Sequence, residues 1–322
     1  MLLLNRKKLL ALGGILLSLL CIATLGIRHL NNRVVNQIGD FLLEYALLYD
    51  IDKRSIDPTS EVSDKVNFTG FSVIKEKIAN IVNTGKPINF NVVGFPHKSP
   101  NTEKKVSSLL PDEAEQYSLE YINSLLTKIT KVYPPGASLT IFTDGTVFCD
   151  AEGIDDTVVF AYEKQLKQLA AHMLQIKIIT LSDLLPELSP DKMRLAVEKF
   201  SPSNSEFEQR LLHDVKLRDE ITLMEKRLML NFDYPAGHLY IKKHPIAWIA
   251  KKLVHRSMQY GNFLATFRNT QDIRLSVHYQ PDVSTKIGIK LSDNSHITPW
   301  HGVLVIDPNG SKRIEHREDS LR

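Results

Sequence analysis

Alternation of strand-like and helix-like segments predicts an α/β fold built on a parallel sheet. Three observations carry that expectation. Short β-rich runs occur at Ile88–Phe95, Leu139–Phe142 and Ile176–Ile179, helix-spaced apolar stretches separate them, and the carboxy-terminal part changes to short strands. One hydrophobic N-terminal helix is expected ahead of the sheet. Residues 9–27 (LLALGGILLSLLCIATLGI) carry no charge and as a helix span about 28 Å, close to the hydrocarbon thickness of a bilayer. Leu25-Gly26-Ile27-Arg28 offers no small-x-small cleavage site, and Leu20 argues against a lipoprotein site at Cys21, so an uncleaved membrane anchor is expected. Arg6, Lys7 and Lys8 before it, with Arg28 and Arg33 after it, leave its orientation open.

The body follows in order. Asp40–Tyr49 and Phe71–Val82 have helical apolar spacing, with the Pro58-containing stretch Asp50–Asp64 looping between them. Ile88–Phe95 is the first strand and ends at Pro96. Pro111-Asp112 opens a helix, with Asp112 as its cap and acidic residues in its first turn. Leu119, Ile122, Leu126, Ile129 and Tyr133 continue its apolar stripe until Tyr133-Pro-Pro-Gly136 stops it. Strand Leu139–Phe142 leads into a turn at Thr143-Asp144-Gly145. Asp156–Leu174 is helical, Ile176–Ile179 a strand and Pro190–Phe200 a helix. Ser205–Leu230 reads as one long surface helix, and His244-Pro245 starts another that runs to about Arg256. Ile273–Tyr279, Lys286–Leu291 and Trp300–Ile306 are short strands whose hairpin-like gaps predict antiparallel pairing. The expected organisation is a hydrophobic segment at 1–27, a helical extension at 28–85 and an α/β catalytic domain at 86–322.

Composition excludes several classes. In 322 residues, 43% hydrophobic and 24% charged content are globular values, not those of a disordered, collagen-like or disulfide-scaffold chain. Lys and Arg number 40 against 37 Asp and Glu, and a net charge of +3 is too small to argue for a nucleic-acid partner. Cys149 is alone in the body, which fits a reducing compartment. There is no G-x-G-x-x-G, Walker loop, G-x-S-x-G or H-E-x-x-H, and His316-x-Glu318 lacks the further histidine an iron triad needs.

Candidate chemistry lies at strand ends. Period two sends Arg274, Ser276 and His278 to one face of their strand, a row costly to bury unless it binds something; a wet face of an antiparallel sheet gives the same pattern. Lys286 and Lys290 repeat it on the next strand, and His301 enters the last one. Together they suit a phosphate or carboxylate ligand, with imidazole for proton transfer. After the first strand, Lys98, Ser99 and Asn101 offer an ammonium, a hydroxyl and an amide, or simply satisfy a proline-rich turn. Asp144 is a candidate base or an ordinary turn residue. Arg256 complements the end of its helix whether or not it faces the same cleft.

FPHKSPN (95–101), LPD (110–112), YPPGA (133–137), TDGTVFCD (143–150), RLSVH (274–278), KIGIKL (286–291) and TPWH (298–301) occur in one order over residues 90–306. In these motifs the chain resembles the pyoverdine/dityrosine biosynthesis family, which includes the isonitrile synthases. That resemblance implies a Rossmann-like α/β enzyme with no metal or redox cofactor. It implies that the amine of L-tyrosine or L-tryptophan joins the keto carbon of ribulose 5-phosphate, which stays as the isonitrile carbon while the rest of the sugar phosphate is fragmented in a lyase-type reaction. A branch of the family leads instead to N-formyl tyrosine. Carried onto these positions, the catalytic candidates are His278, His301, Asp144 and Lys98, and the substrate-binding candidates are Arg274, Lys286, Arg256, Ser99, Asn101 and Ser276. His97 and Tyr279 depart from the usual pattern. A cytosolic sugar phosphate implies a cytoplasm-facing catalytic domain on the anchor, and a downstream oxygenase is a possible partner. The competing class is a membrane-tethered binding domain without turnover.

Overall fold

The computed structural model describes residues 29–47, 68–278, 280, 284–293 and 297–321. The apolar segment 9–27, the loop Asp50–Asp64 and Tyr279 lie outside the described residues. Among those described, no helix is long and apolar enough to cross a membrane.

The chain runs α1 (29–44), α2 (Phe68–Thr84), β1 (Ile88–Val93), α3 (Glu113–Val132), β2 (Ala137–Phe142), α4 (Gly145–Glu152), α5 (Asp156–Ala170) and β3 (Ile176–Ile179). A helical stretch follows: α6 (Leu181–Leu184), α7 (Pro190–Glu198), α8 (Asn204–His213), α9 (Val215–Asn231), α10 (Pro235–Lys243) and α11 (Ile246–Ala265). The chain then returns as β4 (Ile273–Ser276) and β5 (Ile287–Gly288), a 3₁₀ turn at Pro299–His301, β6 (Val303–Ile306), β7 (Lys312–Glu315) and α12 (Arg317–Ser320). The main sheet has the order β3-β2-β1-β4-β5 with every pairing parallel. The order reverses between β1 and β4, and in open sheets of this kind ligands bind beyond the carboxyl ends of the strands at such a reversal.

Register decides what faces what. Phe90 pairs with Leu139 and with Ile273, and Leu275 with Ile287, so these apolar side chains share one face. Ile38 and Leu42 of α1, Ile74 and Ile78 of α2, and Ile122 and Ile129 of α3 pack into the same core. The opposite face is covered only toward its carboxyl end, where Val93, Phe142 and Ile179 meet Val147, Met193, Val197, Tyr260 and Phe263. Asn89 and Lys177 on that face stay exposed.

Local signals set the helix starts. Asp112 accepts from the Ala114 amide at 2.9 Å while Glu115 accepts from the Asp112 amide at 3.0 Å, a reciprocal cap for α3 that contributes about 1 kcal/mol. Four expectations are corrected. Ile273–Tyr279 and Lys286–Leu291 do not form a hairpin; β4 and β5 lie parallel in the main sheet, where Leu275 and Ile287 can be buried on its apolar face. Antiparallel pairing belongs instead to β6 and β7, and Pro299 places Trp300 in a 3₁₀ turn. Ser205–Leu230 is two helices, because Asp214 caps α9 through its side chain while ending α8. Thr143-Asp144-Gly145 is not a closed turn but the entry to α4.

Candidate active site

Two approaches bring the carboxyl ends of β1 and β2 together. Phe95 adopts φ 57°, a left-handed conformation costing a bulky residue about 1–2 kcal/mol, and its ring packs 5.2 Å from that of Trp300. The chain so turned brings the Pro96 carbonyl against Gly145, where a Cβ would lie 2.0 Å from that oxygen; only glycine fits. His97 is thereby set beside the start of α4. Its Nδ1 lies 3.0 Å from the Lys98 carbonyl oxygen and its Nε2 3.1 Å from Oε2 of Glu152, at the far end of the same helix. Burial opposes a charge on His97, but the Glu152 carboxylate and the carbonyl outweigh it and raise its pKa above the ordinary histidine value.

Asp144, the residue before α4, makes no side-chain cap, and its Oδ1 is buried without a hydrogen-bond partner. Burial pushes its carboxyl up to about 7, against the pull of His97. Asn91 Nδ2 on β1 and Thr146 Oγ1 on α4 are likewise buried and unpartnered. Native proteins leave few such atoms, and these three, in the later half of β1 and in the segment that follows β2, are groups that a polar ligand can satisfy. His301 faces the same end. Burial first, then Lys105, His316, His97 and His278, hold it well below the usual histidine range, so its imidazole is neutral. Thr298 Oγ1 lies 3.2 Å from its Nδ1.

A second group lies on the partly covered face. Arg274 is opposite Asn91 in the β1–β4 register. Arg268, in the chain after α11, sits 5.1 Å over the Phe142 ring with its Nε buried and unpartnered. Burial first, then the charge of Arg274, lowers Arg268 to about 10 and Lys286 to about 8. Arg268 and Lys286 are half-buried and Arg274 exposed, and cations that repel one another in this way can attract an anion.

Other sequence candidates have different surroundings. Lys98 has no exposed side-chain surface; its ammonium lies 3.0 Å from Asp112 and 2.8 Å from Glu115, and it donates to the carbonyls of Pro299 and Gly302 at 2.8 and 3.2 Å. Arg256 binds Glu198, Asp150 and the Val147 carbonyl, joining α11 to α7 and α4 rather than entering the cation group. Ser99 Oγ accepts from the Asn101 amide, and Asn101 Oδ1 from the Lys104 amide, so both order their own loop. Ser276 Oγ accepts from the His278 amide and from Gln280. Arg268 and Asn91 are not among the sequence candidates. Period two within Ile88–Val93 does set Asn91 on the face of Arg274, but nothing local singles out Arg268. An open groove of about 590 Å³ beside α5, lined by Phe160, Glu163 and Lys167, is a separate feature, and its Lys167 is paired with Asp183.

Residues 78–322 match the family model described as pyoverdine/dityrosine biosynthesis protein. The chain belongs to that family. It is 33% identical over 241 residues to the L-tryptophan isonitrile synthase AmbI2 of Fischerella ambigua, covering 72% of each chain. It is 33% identical over 243 residues to the L-tyrosine isonitrile synthase of Xenorhabdus nematophila, covering 70% of each. The crystal structure of the PvcA protein from Pseudomonas aeruginosa superposes with a TM-score of 0.73 at 26% identity, over 91% of this chain and 93% of that one. The mixed α/β architecture described above, with its parallel sheet and small antiparallel pair, matches the fold of that protein.

Proposed function

We propose that this chain is an isonitrile synthase that converts the amino group of L-tyrosine or L-tryptophan, with ribulose 5-phosphate as the carbon donor. The observation that carries the reading is the group of Arg274 on β4 with Arg268 and Lys286 in the flanking loops, together with Asp144, which follows β2 with its Oδ1 buried, and neutral His301. Relatives bearing those activities support the choice of amino acid.

The chemistry asks for three things. A phosphate dianion must be held, and it relieves the mutual repulsion of the three cations as it enters. The amino group must lose a proton before attacking a ketone; Asp144, poised near neutrality by burial, accepts that proton. Fragmentation of the sugar then needs proton carriers that work both ways, a role for neutral His301 with His278 nearby. In this reading Lys98, Arg256, Ser99 and Asn101 shape the loops that hold these groups, while Ser276 orders the end of β4.

The test incubates the purified protein with each amino acid and ribulose 5-phosphate labelled with ¹³C at the keto carbon. Mass spectrometry is expected to show an isonitrile carrying the label. A labelled formyl product would favour the dityrosine branch, and no product from either amino acid would refute both. For Arg274→Ala and Arg268→Ala, the KM for the sugar phosphate should rise about 10–100-fold, the loss of a charge-assisted hydrogen bond. Amino-acid affinity in a separate binding titration should change less than threefold; equal weakening of both ligands would remove the phosphate assignment.

A further inference from the structure

We propose that His97 is a positioning residue for Asp144, an imidazolium clamped between Glu152 and the Lys98 carbonyl whose charge holds the neighbouring carboxylate in its proton-accepting form. This inference rests on the isonitrile synthase reading and adds to it how the base is kept active.

The geometry gives His97 a fixed role rather than a mobile one. Nδ1 lies at hydrogen-bond distance, 3.0 Å, from the Lys98 carbonyl, Nε2 stands in ion-pair contact with Glu152 at 3.1 Å without the alignment of a hydrogen bond, and the side chain is 6% exposed, so the ring cannot swing toward a substrate without breaking both contacts. The Pro96–Gly145 approach brings its loop to the first residue of α4, beside Asp144. Asp144 makes no side-chain cap to the helix amides, and the backbone hydrogen bond at its own residue favours the carboxylate by less than His97 does. A carboxyl buried there without a compensating charge would stay protonated at neutral pH and could accept nothing.

Every charged or titratable neighbour of Asp144 has to be weighed. Glu152 disfavours its ionisation, but less than His97 favours it. From α5, Tyr162 donates to Glu115 and Glu163 accepts from Thr143; both feel the Asp144 charge, and neither is a cation. From α11, Tyr260 donates to the Thr143 carbonyl at 2.8 Å. His301 stays neutral. Among these neighbours His97 supplies the positive charge.

The experiment compares pH profiles of kcat/KM for the full-length wild type and His97→Gln, which keeps an Nε–H donor toward Glu152 but cannot carry the charge. The acid limb should move upward by about one pH unit, a roughly tenfold loss at pH 6.5, and activity should return to within threefold of wild type at pH 9. A deficit equal at all pH values would mean a merely structural role, and an unmoved profile would mean no role; either overturns the inference. As a check independent of turnover, the His97 ring signals in NMR should remain those of an imidazolium at pH 7 and become neutral in Glu152→Gln. A neutral His97 at pH 6 in the wild type overturns the proposal. An inactive wild type overturns the activity reading and this inference with it, whereas an active wild type with an unmoved variant overturns the inference alone.

Discussion

Asp144→Asn is expected to abolish turnover while making the protein more stable above neutral pH. The two effects share one cause. In the folded chain burial holds the Asp144 carboxyl near 7, and in the unfolded chain it titrates near the ordinary aspartate value. A carboxyl raised in this way favours the fold at low pH, where both states are protonated, and that advantage is lost progressively as pH rises from about 4 to about 7. Above 7 the folded state carries a buried ionised group at a cost of about 3–4 kcal/mol, an upper figure because His97 and local relaxation share it. Asparagine is never ionised and removes this cost. The melting temperature of Asp144→Asn should therefore exceed that of the wild type by about 5–10 °C at pH 8 and match it at pH 4. Turnover should fall about 10³-fold, since a general base is worth two to four orders of magnitude. Calorimetry at the two pH values with parallel assays decides the matter. An active Asp144→Asn would remove Asp144 from the chemistry, and an unchanged melting temperature at pH 8 would show the carboxyl to be solvated.

Local physics made much of this fold legible. Ile176–Ile179 is a strand with the expected ends, and Asp112 caps α3 as expected, because both follow from neighbouring residues alone. Pro245 marked the start of α11 but not its end; Tyr260, Phe263 and Leu264 prolong the buried stripe to Ala265, well past Arg256. Asp214 shows the opposite failure. Charged, helix-favouring residues on both sides hid a capping residue, and the stretch splits there. The direction of β5 was not readable, since short apolar runs look alike in parallel and antiparallel pairs.

The same division runs through the candidate site. Residues placed by a strand's period, such as Arg274, could be found in the sequence. Arg268 could not, because it meets Phe142 and Arg274 only through the return of the chain after α11. For Lys98 the residue was visible but its surroundings were not. A cation in a loop motif does not disclose that its counter-ion lies 14 positions away in Asp112, or that a carbonyl 201 positions away takes another of its protons. In the sequence His97 is only a departure from the family pattern, because its partner Glu152 lies at the far end of α4 and no motif marks it.

Lys98→Met should produce the largest loss of stability of any single change at this site. The Lys98 ammonium is the positive charge facing both Asp112 and Glu115, and Glu115 is wholly buried. Removing it takes the cation from a buried carboxyl and the donor from the Pro299 and Gly302 carbonyls, a change that costs about 3–5 kcal/mol. Burial already pushes the Glu115 carboxyl upward, with Lys98 pulling it down, so without the lysine it will take up a proton and rise further. The folded pKa being raised, the variant's deficit should be smaller at pH 5 than at pH 8, as measured by urea unfolding at each. The double variant Lys98→Met/Glu115→Gln separates holding from chemistry. If Lys98 serves to join α3 to the loop around Pro299, removing the buried charge should restore about half of the lost stability and a measurable part of the activity. If its ammonium acts on the reacting atoms, stability will recover while turnover stays at the level of the single variant. The first outcome is expected, because an ammonium already facing two carboxylates and two carbonyls has no further proton to direct at a substrate.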